Sequence, residues 1–196
     1  MIVSCDERGI KVAYESIKKG GVIVFPTDTV YGIGCNPYYK DSVNKIFKIK
    51  GRDKTKQLPV LAYSKKEIQE IAFLDEKSEK FADKFWPGPL TLILKVKDKK
   101  IQESMGLQEK IAVRVPNHPC LLALLKECKL LVGTSANFSG QPSYNDSKAI
   151  IGTFSGYDIL LDGGKIVDHG ESTIIQFEGN ELKIVREGKI KSEYLV

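Results

Sequence analysis

The chain is poor in the residues that mark many enzyme classes. Only four cysteines, two histidines and one tryptophan occur in 196 residues. With His118 and His169 alone, a histidine-rich metal centre is nearly excluded, and no protein metal site is expected. Apolar runs stop at about six residues, as in Cys120-Leu-Leu-Ala-Leu-Leu, whereas a membrane span needs roughly 20. The opening Met1-Ile-Val-Ser-Cys-Asp-Glu-Arg has no basic stretch followed by an apolar core, so no secretory signal is read. Cys5, Cys35, Cys120 and Cys128 show no C-x-x-C spacing, and all four are expected to be reduced thiols in a cytoplasmic protein. No G-x-x-x-x-G-K-[ST] segment occurs, and Gly32-Ile-Gly34 lacks the third glycine of a dinucleotide fingerprint. A nucleotide, if bound, is held without a common phosphate loop.

What is present is ordinary for a globular chain: 42% hydrophobic residues, 28% charged residues and a net charge of +5. That excess is too mild for a typical non-specific RNA binder and suits a local pocket for anions. Residues 6–19 read as an amphipathic helix with Asp6 as N-cap and Gly20-Gly21 as its end. Val22–Phe25 is a buried strand candidate, followed by a loop over residues 26–34. Residues 41–49 have helical spacing, Leu58–Ala62 is apolar, and Ser64 with Glu67 forms a capping box. Thr91–Val96, Ile111–Val115 and Leu130–Thr134 read as strands, with a helix over Pro119–Glu127. Ser172–Phe177 and Leu182–Arg186 flank a turn and read as a hairpin. The alternation predicts a single α/β domain over residues 1–196, with a mixed sheet of parallel and antiparallel strands.

Polar and basic residues cluster just after the strand-like runs, where ligands bind in open α/β sheets. Gly133-Thr-Ser-Ala-Asn-Phe-Ser-Gly140 holds three hydroxyls, a carboxamide and two glycines. Such a segment can offer backbone N–H groups to phosphate oxygens, or it is a plain turn. Lys50-x-Arg52, with Lys54 and Lys56, is either a solvated helix end or a polyphosphate clamp. Arg114 shares a strand face with Ala112 and points at an anion, a carboxylate or solvent; Arg186 has the same ambiguity. Trp86-Pro-Gly-Pro89 reads as a rigid turn with a packed indole, and His118 as a loop or capping residue. From the residues alone, the reading ends at a cation-lined site for a small anionic ligand.

Seven segments together resemble the YrdC/TsaC family of threonylcarbamoyl-AMP synthases. They are P-T-D-T-V-Y-G-I-G at 26–34, K-I-K-G-R at 48–52, F-W-P-G-P-L-T at 85–91 and A-V-R-V-P at 112–116. T-S-A-N-F-S-G at 134–140, E-S-T-I-I at 171–175 and I-V-R-E-G at 184–188 complete the set in family order. The resemblance implies a twisted α/β domain around a deep basic cavity, in the short form without a further C-terminal domain. It implies a nucleotidyltransferase that takes L-threonine, bicarbonate and ATP with Mg2+ to threonylcarbamoyl-AMP and pyrophosphate. A partner transferase complex then uses the adenylate to modify tRNA. By position, Thr29, Arg114, Ser135 and Ser172 are similar to the threonine-side residues. Arg52, Lys56, Lys110, Asn137, Asn145 and Arg186 are similar to the ATP side, with Lys50 and Arg52 as the catalytic pair. Many relatives place a histidine near Leu61, and this chain has none there.

The rival from another class is an RNA-binding module without chemistry, for which salt-sensitive affinity without threonine dependence is expected. Weak RNA binding is kept as an expectation beside the synthase reading. A further rival is a relative in the same fold with weak activity or another carbamate as substrate.

Overall fold

The computed structural model describes residues 1–167, 170–179 and 181–195, which leaves His169 and the hairpin residue Asn180 outside the described residues. The first half contains β1 (Ile2–Ser4), α1 (Glu7–Lys18), β2 (Ile23–Phe25), β3 (Gly32–Gly34), α2 (Lys40–Lys50), β4 (Val60–Ala62), α3 (Lys65–Ile71), β5 (Ala72–Phe73) and α4 (Glu76–Phe85). Next come β6 (Leu90–Val96), α5 (Lys99–Met105), β7 (Lys110–Arg114), α6 (Pro119–Cys128), β8 (Leu130–Val132) and β9 (Thr134–Ser135). The chain continues through α7 (Ser147–Ile150), β10 (Ile159–Asp162), β11 (Thr173–Glu178) and β12 (Glu181–Arg186).

Local chemistry explains the elements that the sequence marks. The Asp6 carboxylate accepts from the Gly9 amide at 2.8 Å, capping α1, and Gly20 leaves the helix with φ of 82°. Ser64 caps α3 by accepting from Lys66. The strand β2 is apolar throughout because both its faces are covered. Val24 joins the main core, while Ile23 and Phe25 meet Ala13 and Ile17 of α1 and Leu121 of α6 in a second cluster.

Among the described residues the strands form two mixed sheets. One runs β1-β10-β2-β3-β9, parallel from β1 to β2 and antiparallel beyond. The other runs β12-β11-β6-β7-β4-β8, with β5 also paired to β6. In it β11 is parallel to β6 and β7 to β4, and the remaining neighbours are antiparallel. The expected α/β class and mixed pairing are present; their division over two sheets was not visible in the sequence.

Two expectations are corrected. The segment Gly32-Ile-Gly34 is a strand and not part of a loop. Its glycines are there for close approach: a Cβ at Gly34 would collide with the Val132 carbonyl, and one at Gly32 would sit 2.7 Å from the Phe25 ring. Cys5 and Cys120 are joined in a disulfide, so only Cys35 and Cys128 are free thiols. Packing of α1 on α6 brings their Cα atoms to 5.8 Å, a normal span for the bond. No helix among the described residues is long and apolar enough to cross a membrane.

Candidate functional site

Residues from both sheets line a cavity of about 640 Å³, within the usual range for small-ligand sites. Among the described residues five cations line it, Lys50, Arg52, Lys56, Arg114 and Arg186, against one carboxylate, Glu171. Hydroxyls of Thr29, Thr91, Thr134, Ser135, Ser139 and Ser172 lie among them.

One wall is buried and already hydrogen-bonded. Strand alternation on β7 turns Arg114 and Ala112 toward the cavity, and Arg114 is only 5% exposed. Its Nε donates to the Gly88 carbonyl at 2.9 Å and Nη1 to Thr29 Oγ1 at 3.1 Å; Nη2 pairs with Asp28 Oδ1 at 2.5 Å. A guanidinium has five N–H groups, so one on each terminal nitrogen remains for a ligand. Burial lowers the Arg114 pKa, and the nearby Arg186 charge adds to that while Asp28 opposes it. Thr27 donates to the Val30 carbonyl, so Thr29 donates to Thr27 while accepting from Arg114. The Thr29 oxygen keeps a lone pair for a ligand N–H or O–H.

The other wall carries more solvent-exposed charge. Arg186 donates from Nε and Nη2 to the Ser172 carbonyl and from Nη2 to Ser172 Oγ, and Nη1 pairs with Glu171 at 2.6 Å. Ser172 Oγ lies 2.9 Å from Thr91 Oγ1. Arg52 spans the turn after α2, donating to the carbonyls of Lys56 and Gln57 at 2.9 and 3.2 Å. Burial and then Arg186 lower the Arg52 pKa, so the three guanidiniums repel one another in a pocket with few counter-charges. That arrangement favours a polyanionic ligand.

Lys50, at the end of α2, is 2% exposed. Its ammonium donates to the Ser135 carbonyl, to the Asn137 carbonyl at 2.8 Å and to Asn137 Oδ1 at 2.9 Å. Burial, helped by Arg52, lowers its pKa to about 8. All three donors are therefore engaged in holding the 133–140 loop.

A family model described as "Telomere recombination", for the Sua5/YciO/YrdC domain, matches residues 15–188. The chain belongs to the Sua5/YciO/YrdC family. Threonylcarbamoyl-AMP synthases of Pyrococcus abyssi and Bacillus subtilis are 32% and 33% identical over 96% and 98% of this chain. The alignments cover 56% and 57% of those proteins, so the chain spans little more than half their length. P. abyssi Sua5 complexed with L-threonine superposes with a TM-score of 0.91 at 31% identity, covering all of this chain and 59% of that one. Escherichia coli YciO gives a TM-score of 0.89 at 25% identity, covering all of this chain and 98% of that one.

In this Sua5/YciO/YrdC chain, Thr29, Lys50, Arg52, Lys56, Arg114, Ser135, Asn137, Ser172 and Arg186 all line the one cavity. Lys110 does not. It is exposed at the start of β7, paired in register with Lys95 and four residues before Arg114, which at about 3.3 Å per residue is about 13 Å away. Asn145 also lies off the lining, its carbonyl accepting from Ile166. Lys50 acts from within the wall, since its protons are spent on the loop. In the 133–140 loop the amides of Gly133, Ala136, Asn137 and Ser139 bond to the carbonyls of Pro59, Tyr31, Ser135 and Lys50, so these four are not offered to a phosphate. Sequence reading missed Asp28, Thr91 and Glu171, although all three fall inside the recognised segments. An acidic residue beside a cationic site is the signal that could have found Asp28 and Glu171. His118 is the N-cap residue of α6, but its side chain makes no capping bond. The Trp86 indole is packed as expected, its Nε1 donating to the Leu90 carbonyl at 2.7 Å.

Proposed function

We propose that this chain is a threonylcarbamoyl-AMP synthase, a nucleotidyltransferase acting in the cytoplasm on L-threonine, bicarbonate and ATP. The observation that carries the reading is the convergence of Arg52, Arg114 and Arg186 on one cavity beside Thr29, Ser135 and Ser172. Similarity to synthases from P. abyssi and B. subtilis, and to Sua5 with L-threonine, supports it.

The two walls suit the two substrates. The free N–H groups of Arg114 can take the threonine carboxylate as a bidentate pair, with Thr29 accepting from the substrate. Arg52, Lys56 and Arg186 then face the triphosphate. The threonine amine adds to dissolved CO2 with loss of a proton to solvent, or to bicarbonate with loss of water, to give a carbamate. A carbamate oxygen attacks the α-phosphorus of ATP, forming the O–P bond of the mixed anhydride as the bond to the β-phosphate bridging oxygen breaks, and pyrophosphate leaves. Carbamates form readily, so no dedicated general base is needed, and the protein contributes alignment and charge neutralisation. Mg2+ would arrive on the ATP phosphates and neutralise part of their charge. Among the lining residues Glu171 is the lone carboxylate and could offer one ligand, which fits a metal held chiefly by substrate. A tRNA-modifying transferase is the proposed recipient of the adenylate.

Purified protein with Mg2+, ATP, L-threonine and bicarbonate is expected to release pyrophosphate, and omission of threonine or bicarbonate to abolish the release. Equal release without threonine would overturn the reading and leave a plain nucleotidase. RNA affinity that is salt-sensitive and independent of threonine, with no pyrophosphate release, would favour the binding module instead.

A further inference from the structure

His118 occupies the N-cap of α6, a position where Ser, Thr, Asp or Asn normally bonds the first free amides. Its side chain makes no such bond. The imidazole is half-buried beside Gly163 and Pro26: a Cβ on Gly163 would sit 3.6 Å from His118 Cε1 and 2.6 Å from Pro26 Cγ. Pro26 opens the loop that carries Asp28. His118 Nδ1 and Asp28 Oδ2 are both buried, and among the described residues no protein group bonds either one. Asp28 Oδ1 is already committed to Arg114. Burial lowers the His118 pKa while the Asp28 charge raises it, so the two groups are within electrostatic reach.

A buried carboxylate oxygen and a buried imidazole nitrogen without protein partners are each unfavourable, and one water that accepts from the imidazole N–H and donates to the carboxylate resolves both. We propose that His118 is a positioning residue for Arg114: its Nδ1–H donates through one bridging water to Asp28 Oδ2, and Asp28 so held fixes the guanidinium for the substrate carboxylate. The chain His118–Asp28–Arg114 then reaches from the start of α6 to the cavity wall. The last link rests on the threonine reading given above; the first link does not.

Two measurements test it. Two histidines occur in the sequence, so selective 15N labelling, with a His169→Gln variant for assignment, reports the His118 tautomer directly. The Nδ1–H tautomer at pH 7 is expected, and the Nε2–H tautomer would overturn the link whatever the enzyme does. In kinetics, His118→Phe keeps a ring but no donor and is expected to raise the threonine KM about tenfold, as loss of a bond to a charged group would. The ATP KM should stay within about twofold. His118→Asn, whose amide nitrogen lies where Nδ1 was, should restore the threonine KM, while His118→Gln should not. Asn no better than Phe, or Phe equal to wild type, removes the positioning role. A wild-type protein without threonine-dependent pyrophosphate release would sink the synthase reading, and the tautomer would still decide the His118–Asp28 link.

Discussion

Arg114 and Arg186 line the same cavity and each holds a carboxylate, but the side chains of Arg114 and Asp28 are 6% and 13% exposed, against 39% and 45% for Arg186 and Glu171. The difference is one of dielectric. An exposed pair is screened, costs side-chain entropy to hold, and contributes about 0–1 kcal/mol. A buried pair is a poor source of net stability yet very sensitive to loss of one partner, because the survivor is left charged and dry. The Arg114 wall is thus built as a fixed template and the Arg186 wall as an adjustable one. That division matches the proposed substrates, since a small zwitterion needs geometry and a flexible triphosphate needs charge.

The largest expected effect breaks the template. Arg114→Ala leaves Asp28 buried without its cation and should destabilise the protein by about 3–5 kcal/mol. Arg186→Ala should change stability by less than about 1 kcal/mol. Urea unfolding of both variants checks the contrast, and equal losses would mean that the walls do not differ as burial implies. Arg114→Lys retains charge but not the two-pronged grip. It should raise the threonine KM by about tenfold or more, worth about 1.4 kcal/mol, with ATP binding nearly unchanged. A matching loss of ATP affinity would move Arg114 to the nucleotide side.

On the other wall, Arg52→Ala or Arg186→Ala is expected to reduce turnover roughly 30- to 1000-fold, the rate equivalent of about 2–4 kcal/mol. The threonine KM should change little for Arg52→Ala and rise somewhat for Arg186→Ala, because Arg186 also holds Ser172. A fully active Arg52→Ala enzyme would return Lys50-x-Arg52 to the status of a solvated helix end. Raising salt should weaken the Arg186–Glu171 pair much more than the Arg114–Asp28 pair, so the ATP KM should respond to ionic strength more steeply than the threonine KM.

Much of this contrast was legible in the sequence, but not all of it. Helix caps, the apolar run of β2 and the terminal hairpin are local signals, and the elements stand where those signals put them. Arg114 was visible as a charge inside a strand; that it faces Asp28 depends on a contact 86 residues apart in the chain. The strand β3 was hidden because its two glycines read as loop, although close packing against Phe25 and Val132 is what requires them. Lys110 was carried over by position, and only the direction of β7 shows that it sits at the far end from Arg114. The Cys5–Cys120 bond follows from helix packing, which no spacing rule reports.

Lys50 links the two walls and gives a smaller effect with an unusual sign. Its folded pKa is about 8 and the unperturbed value is 10.5. Between those values the unfolded chain binds more protons than the folded one, so this group makes stability rise with pH from about 8 to 10.5. Activity should move the other way. Once the ammonium is lost, the ties to Ser135 and Asn137 weaken, and the rate should fall by about tenfold per pH unit above pH 8. A pH–rate profile beside unfolding curves at the same pH values separates the two trends. A rate that holds to pH 10 would show that the charged form is not needed to position the loop.

The smallest expected change concerns Leu61, near which the family resemblance implies a histidine. Leu61 lines the cavity, is 5% exposed, and pairs in register with Arg114 across β4 and β7. It therefore belongs to the fixed Arg114 wall, yet supplies only apolar surface there. Leu61→His adds a donor or acceptor next to the arginine at some loss of packing, because Leu61 belongs to the cluster with Ile23, Phe25 and Leu121. A net hydrogen bond of about 0.5–1 kcal/mol corresponds to roughly a two- to fivefold lower threonine KM. The ATP KM should not change, since the nucleotide wall is untouched. If the imidazole instead competes with threonine for Arg114, the KM rises, and the template is then already complete without a group at this position. An unchanged KM would mean that the amino acid does not reach Leu61, and the threonine pocket would have to be drawn closer to Thr29 and Ser172.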